Sequence, residues 1–238
     1  MRKDVITSMD GHVAVLTLNR PPANLVNREL LAALGKAVAG AVDDPDVRVI
    51  VAIGCDKVFS EGLDLDSFLA LDEDGKRELV RLGRDVMRSL EQAPKPTIAA
   101  VAGKALGAGL EVALACDMRL ASEDAQLGHP EVSQGLTPLF GGTNRLERLI
   151  GMSRSRSLIF TGEPIPAWEA LEMGLIGKVV PRGALLEEAR IAAARIASQP
   201  NDAVQAAKRM MLRAEEKERE ESVDDVVKSI SRLCGLKK

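Results

Sequence analysis

The chain has 238 residues, of which 46% are hydrophobic and 28% are charged, so it can bury a core in one large domain or two small ones. Its formal net charge of −3 argues against nucleic acid as a partner, because such binding needs a positive field that attracts phosphates. One Trp, four Phe and no Tyr leave few aromatic surfaces on which bases could stack.

Cysteine usage and hydropathy favour a cytoplasmic protein. Cys55, Cys116 and Cys234 match neither a disulfide framework nor a zinc site, and the first two lie in apolar surroundings typical of buried free thiols in a reducing compartment. The first ten residues lack the apolar core of a signal peptide, and the longest apolar run, residues 98–114, is interrupted by glycines and charges. We expect neither a membrane segment nor a metal site.

Strands and helices alternate in the first half of the chain. Asp10-Gly11 is a hairpin signal between two strands, the second of which is apolar on both faces and is therefore expected to be buried on both. Apolar residues at helical spacing after Asn27, a good N-cap, predict a helix that ends before Pro45. The predicted strands lie at 4–8, 12–18, 47–53 and 97–101, and the predicted helices at 28–42 and 75–92.

Helices dominate the second half. A short apolar helix is predicted after Gly107, and Pro166 stands where the first residue of a later helix would be. The other predictions are strands at 117–121 and 179–180, helices at 142–150, 154–160 and 167–173, and a helical tail from 185 that divides near Pro200. This order favours an α/β core followed by a helical C-terminal part.

The segment from Gly103 to Glu111 follows a predicted strand and opens a helix, where small residues let backbone N–H groups approach an anion. Residues 107–109 form a G-x-G, but Val112 stands in place of the third glycine of a dinucleotide-binding fingerprint. The Gly-Lys-Ser/Thr of a Walker loop is missing. An oxyanion-hole turn and a plain strand-to-helix turn remain, and the segment alone favours the plain turn.

Two carboxylates are candidates for acid–base chemistry. Glu111 lies in the first turn of an apolar helix, where it would be either a capping partner or a partly buried acid with a raised pKa. Glu131 follows Pro130, where a surface carboxylate is the simpler interpretation, and a lone histidine such as His129 is more often structural than catalytic. Ser133 lacks the G-x-S-x-G context of a serine hydrolase.

Two further segments permit a binding interpretation. Residues 59–65 contain Gly62, which could expose neighbouring amides, and Asp64, a good N-cap for an ordinary helix. Four arginines at helical spacing could bind phosphate, but interleaved acidic residues favour a solvated, salt-bridged face instead. These are Arg77, Arg81, Arg84 and Arg88.

Taken in this order, the segments resemble the crotonase superfamily, the enoyl-CoA hydratase/isomerase family, over nearly the whole chain from about Val13 to Leu212. Residues 59–65, FSEGLDL, are similar to the family's F-[SC]-A-G-x-D-[LI] loop. Residues 96–117, PTIAAVAGKALGAGLEVALACD, resemble the family's next block. Residues 125–131, AQLGHPE, and residues 138–146, PLFGGTNRL, resemble the block after it. Each motif is degenerate alone, whereas the ordered set is specific.

The resemblance implies an architecture. Residues 1–185 would form a spiral of repeated ββα turns that binds a coenzyme A thioester and carries out catalysis. Residues 186–238 would form a helical region that closes the pocket and builds trimers, often paired into hexamers.

The resemblance also implies a site. The backbone N–H groups of Leu63 and Ala108 would form an oxyanion hole for the thioester carbonyl. Glu111 and Glu131 would flank the substrate double bond, with Glu111 as the base that activates water and Glu131 managing the proton at C2. Coenzyme A is part of the substrate, and neither a metal nor a redox cofactor is needed. Further substrate contacts would come from Glu61, Gly62, Asp64, Gly107 and Leu139.

The presence of both glutamates favours an enoyl-CoA hydratase, acting through an oxyanion-stabilised enolate. The alternatives are a Δ3-Δ2-enoyl-CoA isomerase that needs only Glu131, another acyl-CoA enzyme, or a non-catalytic CoA- or RNA-binding relative. Four positions depart from the family pattern. Ala108 replaces a glycine, Glu61 replaces an alanine, and Leu139-Phe140 replaces small residues, which would reshape the acyl pocket.

Overall fold

The structure is a computed structural model that describes residues 3–55 and 57–212. The larger of its two sheets contains β1 (Val5–Asp10), β2 (Val13–Leu18), β3 (Val49–Gly54), β4 (Thr97–Val101), β6 (Met118–Ser122) and β9 (Lys178–Val180). The smaller sheet contains β5 (Lys104–Leu106), β7 (Gln126–Gly128) and β8 (Ile165–Pro166).

Helices follow most of these strands. They are α1 (Arg28–Asp43), α2 (Leu65–Leu69), α3 (Glu73–Glu91), α4 (Ala108–Leu114), α5 (Gly142–Ile150), α6 (Met152–Thr161), α7 (Ala167–Glu172) and α8 (Leu185–Ala197). Two short 3-10 helices span Pro130–Gln134 and Arg182–Ala184, and residues 201–212 are also helical. Within the described ranges, no helix is long and apolar enough to cross a membrane.

The chain winds as a spiral between the two sheets. The larger sheet has the order β1-β2-β3-β4-β6-β9, in which β1 pairs antiparallel with β2 and all later neighbours are parallel. β4 is followed by β5 and β6 by β7, so each turn adds one strand to each sheet before a helix returns. Isolated parallel bridges from Val26 to Leu63 and from Ser60 to Ala105 join the earlier turns to the same layer. The predicted α/β spiral of ββα turns is confirmed.

Both faces of the larger sheet are buried, in two apolar clusters. On β2, Ala14 and Leu16 face the cluster that contains the buried sides of α1, α3 and α4, while Val13 and Val15 face the cluster that contains α8. The alternation continues along β3 and β4. Parallel strands covered on both faces read as unbroken apolar runs, which explains the sequence pattern that predicted them.

Several predicted elements are confirmed and some details were wrong. Asn27 caps α1 by accepting a hydrogen bond from the N–H of Leu30. The hairpin turn lies at Gly11-His12, one residue later than predicted, because Asp10 pairs with Val13 in the ladder. Pro166 precedes α7 as its N-cap residue and is not its first helical residue.

The charged helix α3 begins earlier than predicted. It starts at Glu73, because Asp72 accepts a hydrogen bond from the N–H of Gly75 and supplies the cap. Cys116 is a buried free thiol as predicted, and its burial raises its pKa to about 12. Cys55 is only partly buried, contrary to prediction, and its Sγ donates to Oδ1 of Asn24 at 3.2 Å. Cys234 lies outside the described residues.

The helical tail is confirmed as far as residue 212, with the expected break at Pro200. α8 packs on the larger sheet, and the helix at 201–212 is tied to that sheet by the buried Lys208. The Lys208 ammonium donates to the Asp117 carboxylate at 2.7 Å and to the carbonyl of Lys95 at 3.2 Å. Residues 213–238, the rest of the predicted C-terminal region, lie outside the described residues.

Candidate active site

The site lies where the chain leaves the smaller sheet and enters α4. Gly107 makes the turn with a φ of +50°, a conformation that favours glycine. A Cβ at this position would lie 3.1 Å from Oε1 of Glu131, so the missing side chain also leaves room for that carboxylate. Glu111 follows one helical turn later, fully buried among apolar neighbours of α4.

Two backbone N–H groups hold the Glu111 carboxylate. Its Oε1 accepts from the N–H of Phe140 and from the N–H of Gly142, each at 2.7 Å. Its Oε2 is buried and has no hydrogen-bond partner within the described part of the chain. Burial raises the pKa of Glu111, and the charge of His129 and the two N–H groups oppose that rise in part. A raised pKa makes this carboxylate a stronger base, which suits proton abstraction near neutral pH.

The second carboxylate, Glu131, comes from the 3-10 helix after β7 and is 8% exposed. The Nδ1 atom of His129 lies 3.2 Å and 3.3 Å from its two oxygens. A Cβ on Gly142 would lie 2.9 Å both from Oε1 of Glu111 and from Cε1 of His129. The structure therefore brings Glu111, His129 and Glu131 together around the start of α4. The expectation that His129 is structural and not catalytic stays a prediction.

Two N–H groups are free beside these carboxylates. Neither the Leu63 N–H nor the Ala108 N–H donates a hydrogen bond to any group in the described portion of the protein. Gly62, with a φ of +109°, holds them close together, since its Cβ position lies 3.0 Å from the carbonyl oxygen of Leu106 and 3.9 Å from the nitrogen of Ala108. Two free N–H groups from separate loops can bind one developing oxyanion.

Close packing of Gly109 against Ser60 sets the spacing of these loops. A Cβ on Gly109 would lie 2.6 Å from both the Cβ and the backbone oxygen of Ser60, closer than real side-chain contacts allow. The loop that carries Leu63 therefore approaches α4 only because residue 109 has no side chain. In the G-x-G of residues 107–109, Gly107 adopts the turn conformation and leaves room for Glu131. Gly109 allows the close approach of Ser60.

Asn24 anchors the Leu63 loop and was missed by the sequence analysis. It is fully buried with a φ of +48°, and its Nδ2 donates to the carbonyls of Val58 and Phe59 at 2.9 Å and 3.2 Å. Its own carbonyl accepts from the Ser60 hydroxyl at 2.8 Å. An Asn that follows two prolines in a loop is a turn signal and could have marked this position.

Two carboxylates predicted to contact substrate already have partners in the protein. Asp64 caps α2 through the N–H of Ser67 and pairs with Arg20 at 2.7 Å. Burial acts to raise the pKa of Asp64, but the Ser67 and Arg20 contacts outweigh it and the pKa is lowered. Glu61 pairs with Lys104 at 3.2 Å on the surface. The capping interpretation of Asp64 is confirmed, while substrate contact by either residue stays a prediction.

The turn that binds Glu111 is fixed to α3. The Phe140 ring packs where Gly83 has no side chain, since a Cβ there would lie 2.3 Å from the ring. The carbonyl of Leu139 accepts from Nε of Arg84 at 3.1 Å. Of the arginines predicted to lie on a salt-bridged face, Arg77 does pair with acidic neighbours on its own helix, whereas Arg84 has this different contact.

The Ser133 hydroxyl is also engaged locally, because it donates to the carbonyl of Pro130 at 2.7 Å. This contact closes the 3-10 turn that carries Glu131. The hydroxyl of Ser133 is thus used to stabilise the turn, which agrees with the prediction that Ser133 is not a hydrolase nucleophile.

Comparison with known proteins agrees with this geometry. The family model described as enoyl-CoA hydratase/isomerase matches residues 8–230. The short-chain-enoyl-CoA hydratase of Clostridium acetobutylicum is 41% identical over 88% of this chain and 81% of its own length. The crotonyl-CoA hydratase of Syntrophomonas wolfei is 41% identical over 87% of this chain and 80% of its own.

A solved structure shows the same fold. The enoyl-CoA hydratase from Bacillus anthracis superposes with a TM-score of 0.85 at 36% identity, covering 98% of this chain and 94% of that one. The resemblance inferred from the ordered motifs is confirmed. The chain belongs to the enoyl-CoA hydratase/isomerase family, within the crotonase superfamily.

Proposed function

We propose that this protein is an enoyl-CoA hydratase, which adds water across the 2,3 double bond of an enoyl-CoA thioester. The observation that carries the proposal is the convergence of two buried carboxylates, Glu111 and Glu131, beside two free backbone N–H groups. The two hydratase relatives described above, each 41% identical over most of the chain, support the same activity.

The proposed reaction begins at the thioester carbonyl. The N–H groups of Leu63 and Ala108 bind its oxygen and stabilise the negative charge that develops there. Withdrawal of electrons toward that oxygen makes C3 of the conjugated substrate electrophilic. Each N–H contact is expected to be worth a factor of about 10²–10³ in turnover.

Water then adds at C3. Glu111 takes one proton from the water as the water oxygen bonds to C3. The electron pair of the double bond moves into the enolate. Glu131 delivers a proton to C2 as the carbonyl re-forms, and proton exchange with solvent restores both carboxyl groups. Since two neighbouring carboxylates titrate as a pair, the pH profile will report the pair and not one residue.

The reaction involves no change of oxidation state overall, so the proposed chemistry needs no redox cofactor, and the N–H groups perform the task that a metal ion would. Coenzyme A enters as part of the substrate. We propose that Gly62, Gly107 and Leu139 contact the substrate through their backbone, with Glu61 and Asp64 shaping the loop.

We further propose that the protein works in the cytoplasm as a homotrimer or homohexamer. Residues 1–185 would hold the site, and residues 186–238 would close the pocket and build the oligomer. Apolar surface that such an assembly could cover lies outside the site, at Phe160 and Trp168, which are 73% and 60% exposed.

The test is loss of the conjugated thioester absorbance with crotonyl-CoA and a panel of longer and cyclic enoyl-CoAs. Formation of 3-hydroxyacyl-CoA is expected, with losses of about 10²–10⁴-fold in turnover for Glu111→Gln and for Glu131→Gln. Unchanged hydration by Glu111→Gln would contradict its assigned role. Double-bond migration that survives Glu111→Ala, without hydration, would instead indicate an isomerase.

A further inference from the structure

His129 lies beside the two carboxylates of the site. Its side chain is fully buried, and its Nδ1 is within 3.3 Å of both oxygens of Glu131. Its Nε2 is buried and has no hydrogen-bond partner among the residues that the structure describes. The ring carbon between the two nitrogens faces Gly142, which also packs against Oε1 of Glu111. One imidazole therefore contacts Glu131 and lies near Glu111.

The contact with Glu131 fixes the direction of one hydrogen bond. An ionised carboxylate only accepts hydrogen bonds, so Nδ1 must carry the hydrogen when Glu131 is ionised. The position of Nδ1, nearly equidistant from both oxygens, holds the carboxyl group in one orientation. A proton donor for C2 has to keep such an orientation, because small misplacements of reacting groups slow a reaction strongly.

Four elements of the described chain lie around His129, and two of them carry the glutamates. Glu131 approaches from the 3-10 helix and Glu111 from α4. α5 contributes the uncharged Gly142, and its Arg145 is directed to the carbonyl of Phe140 and to Glu91. The end of α6 contributes Gly162, beside the carbonyl of His129.

We infer that His129 is a positioning residue for the proposed hydration: its Nδ1–H donates to Glu131 and holds that carboxyl group in the orientation from which it delivers a proton to C2. The inference rests on the proposed function and deepens it. It concerns a residue of this chain that lies outside the glutamates and the N–H groups already assigned.

The test separates the hydrogen bond from the bulk of the side chain. His129→Gln retains an N–H that can donate to Glu131, whereas His129→Leu removes the donor. With crotonyl-CoA, His129→Leu is expected to lose roughly 10²-fold in kcat with little change in KM. His129→Gln should restore most of that kcat. Equal losses of kcat in both variants would overturn the inference, as would a native kcat in His129→Leu.

A second measurement does not depend on activity. The sequence has only two histidines, so ring nitrogen NMR signals that remain in His12→Gln belong to His129. His12 is exposed and contacts the carbonyl of Asp46, which makes His12→Gln a matched control expected to keep native kinetics. Glu131→Gln should change the His129 ring signals, and unchanged signals would refute the contact. If the unsubstituted protein has no hydratase activity, but its His129 signals still change in Glu131→Gln, the proposed function is refuted and the contact between His129 and Glu131 stands.

Discussion

Gly109→Ala should separate the two N–H groups of the proposed oxyanion hole. The new Cβ would lie 2.6 Å from the Cβ and from the carbonyl oxygen of Ser60, and 2.8 Å from its hydroxyl. Relief of this overlap requires the Leu63 loop to move away from α4 by roughly 1 Å, since carbon atoms pack at about 3.5–4.0 Å. The hydroxyl of Ser60 can rotate, but the backbone oxygen beside it cannot.

A movement of this size has a calculable effect on the reaction. Ser60 is three residues before Leu63 in one short loop, and Gly109 directly follows Ala108, so the displacement acts on the gap between the two N–H groups. A misplacement of about 1 Å can cost roughly 10²-fold in rate, similar to the loss of one oxyanion contact. We expect this loss in kcat, together with destabilisation by about 1–3 kcal/mol from overpacking.

Gly40→Ala is the matched control. Gly40 is an exposed glycine inside α1, and a Cβ there would meet nothing within 4 Å. Alanine should therefore stabilise the protein by about 0.4–1 kcal/mol and leave kinetics unchanged. Initial rates with crotonyl-CoA and urea unfolding would be measured for both variants. A Gly109→Ala protein with the native kcat would refute the argument that residue 109 sets the spacing of the hole.

Three further predictions concern how Glu111, the Phe140 turn and the Leu63 loop are held. Burial raises the pKa of Glu111 above 4.5, so its contribution to stability is complete below pH 4.5 and is lost as the pH rises through the raised pKa. Glu111→Gln should therefore melt at a higher temperature than the native protein at neutral pH, and the difference should vanish in acid; a constant difference would contradict this. Gly83→Ala should destabilise by about 1–3 kcal/mol and lower kcat, because the Phe140 ring must move, and Phe140→Leu in the same chain should restore part of both in a double-mutant cycle. Asn24→Ala should cost about 2 kcal/mol or more in urea unfolding, since it leaves two buried carbonyls without donors; a native midpoint would show that the loop does not depend on it.

The larger sheet was predictable from the sequence, and the smaller sheet was not. β4 was predicted with its bounds correct, because parallel strands buried on both faces form continuous apolar runs between polar loops. The strands of the smaller sheet have two or three residues each, too few to show a period of two. Their positions come from pairing with distant parts of the chain.

The same limit applies to the site. Glu111 and Glu131 are brought together because β5 and β7 pair in parallel, with Leu106 opposite Gly128, so the residues that follow each strand emerge side by side. The residues next to either glutamate do not indicate how β5 and β7 pair. From local sequence alone, Glu111 was therefore reasonably interpreted as a capping residue and Glu131 as a surface carboxylate. The ordered motifs indicated the pair through resemblance, and the structure adds the contacts of His129 and Asn24, which the motifs do not contain.

The departure at Phe140 shows how one local change is absorbed without loss of the site. A carboxylate as buried as Glu111 needs strong hydrogen bonds, and it obtains them from the backbone of the Phe140 turn, where side-chain identity does not alter the donor. A large ring in this turn has to be accommodated elsewhere, and Gly83 of α3 provides the space while Arg84 binds the neighbouring carbonyl. The ring thus links the position of the Glu111 donors to α3, a helix that contains none of the proposed catalytic groups. Substitutions on the buried face of α3 should therefore change kcat through Glu111, although they lie outside the site.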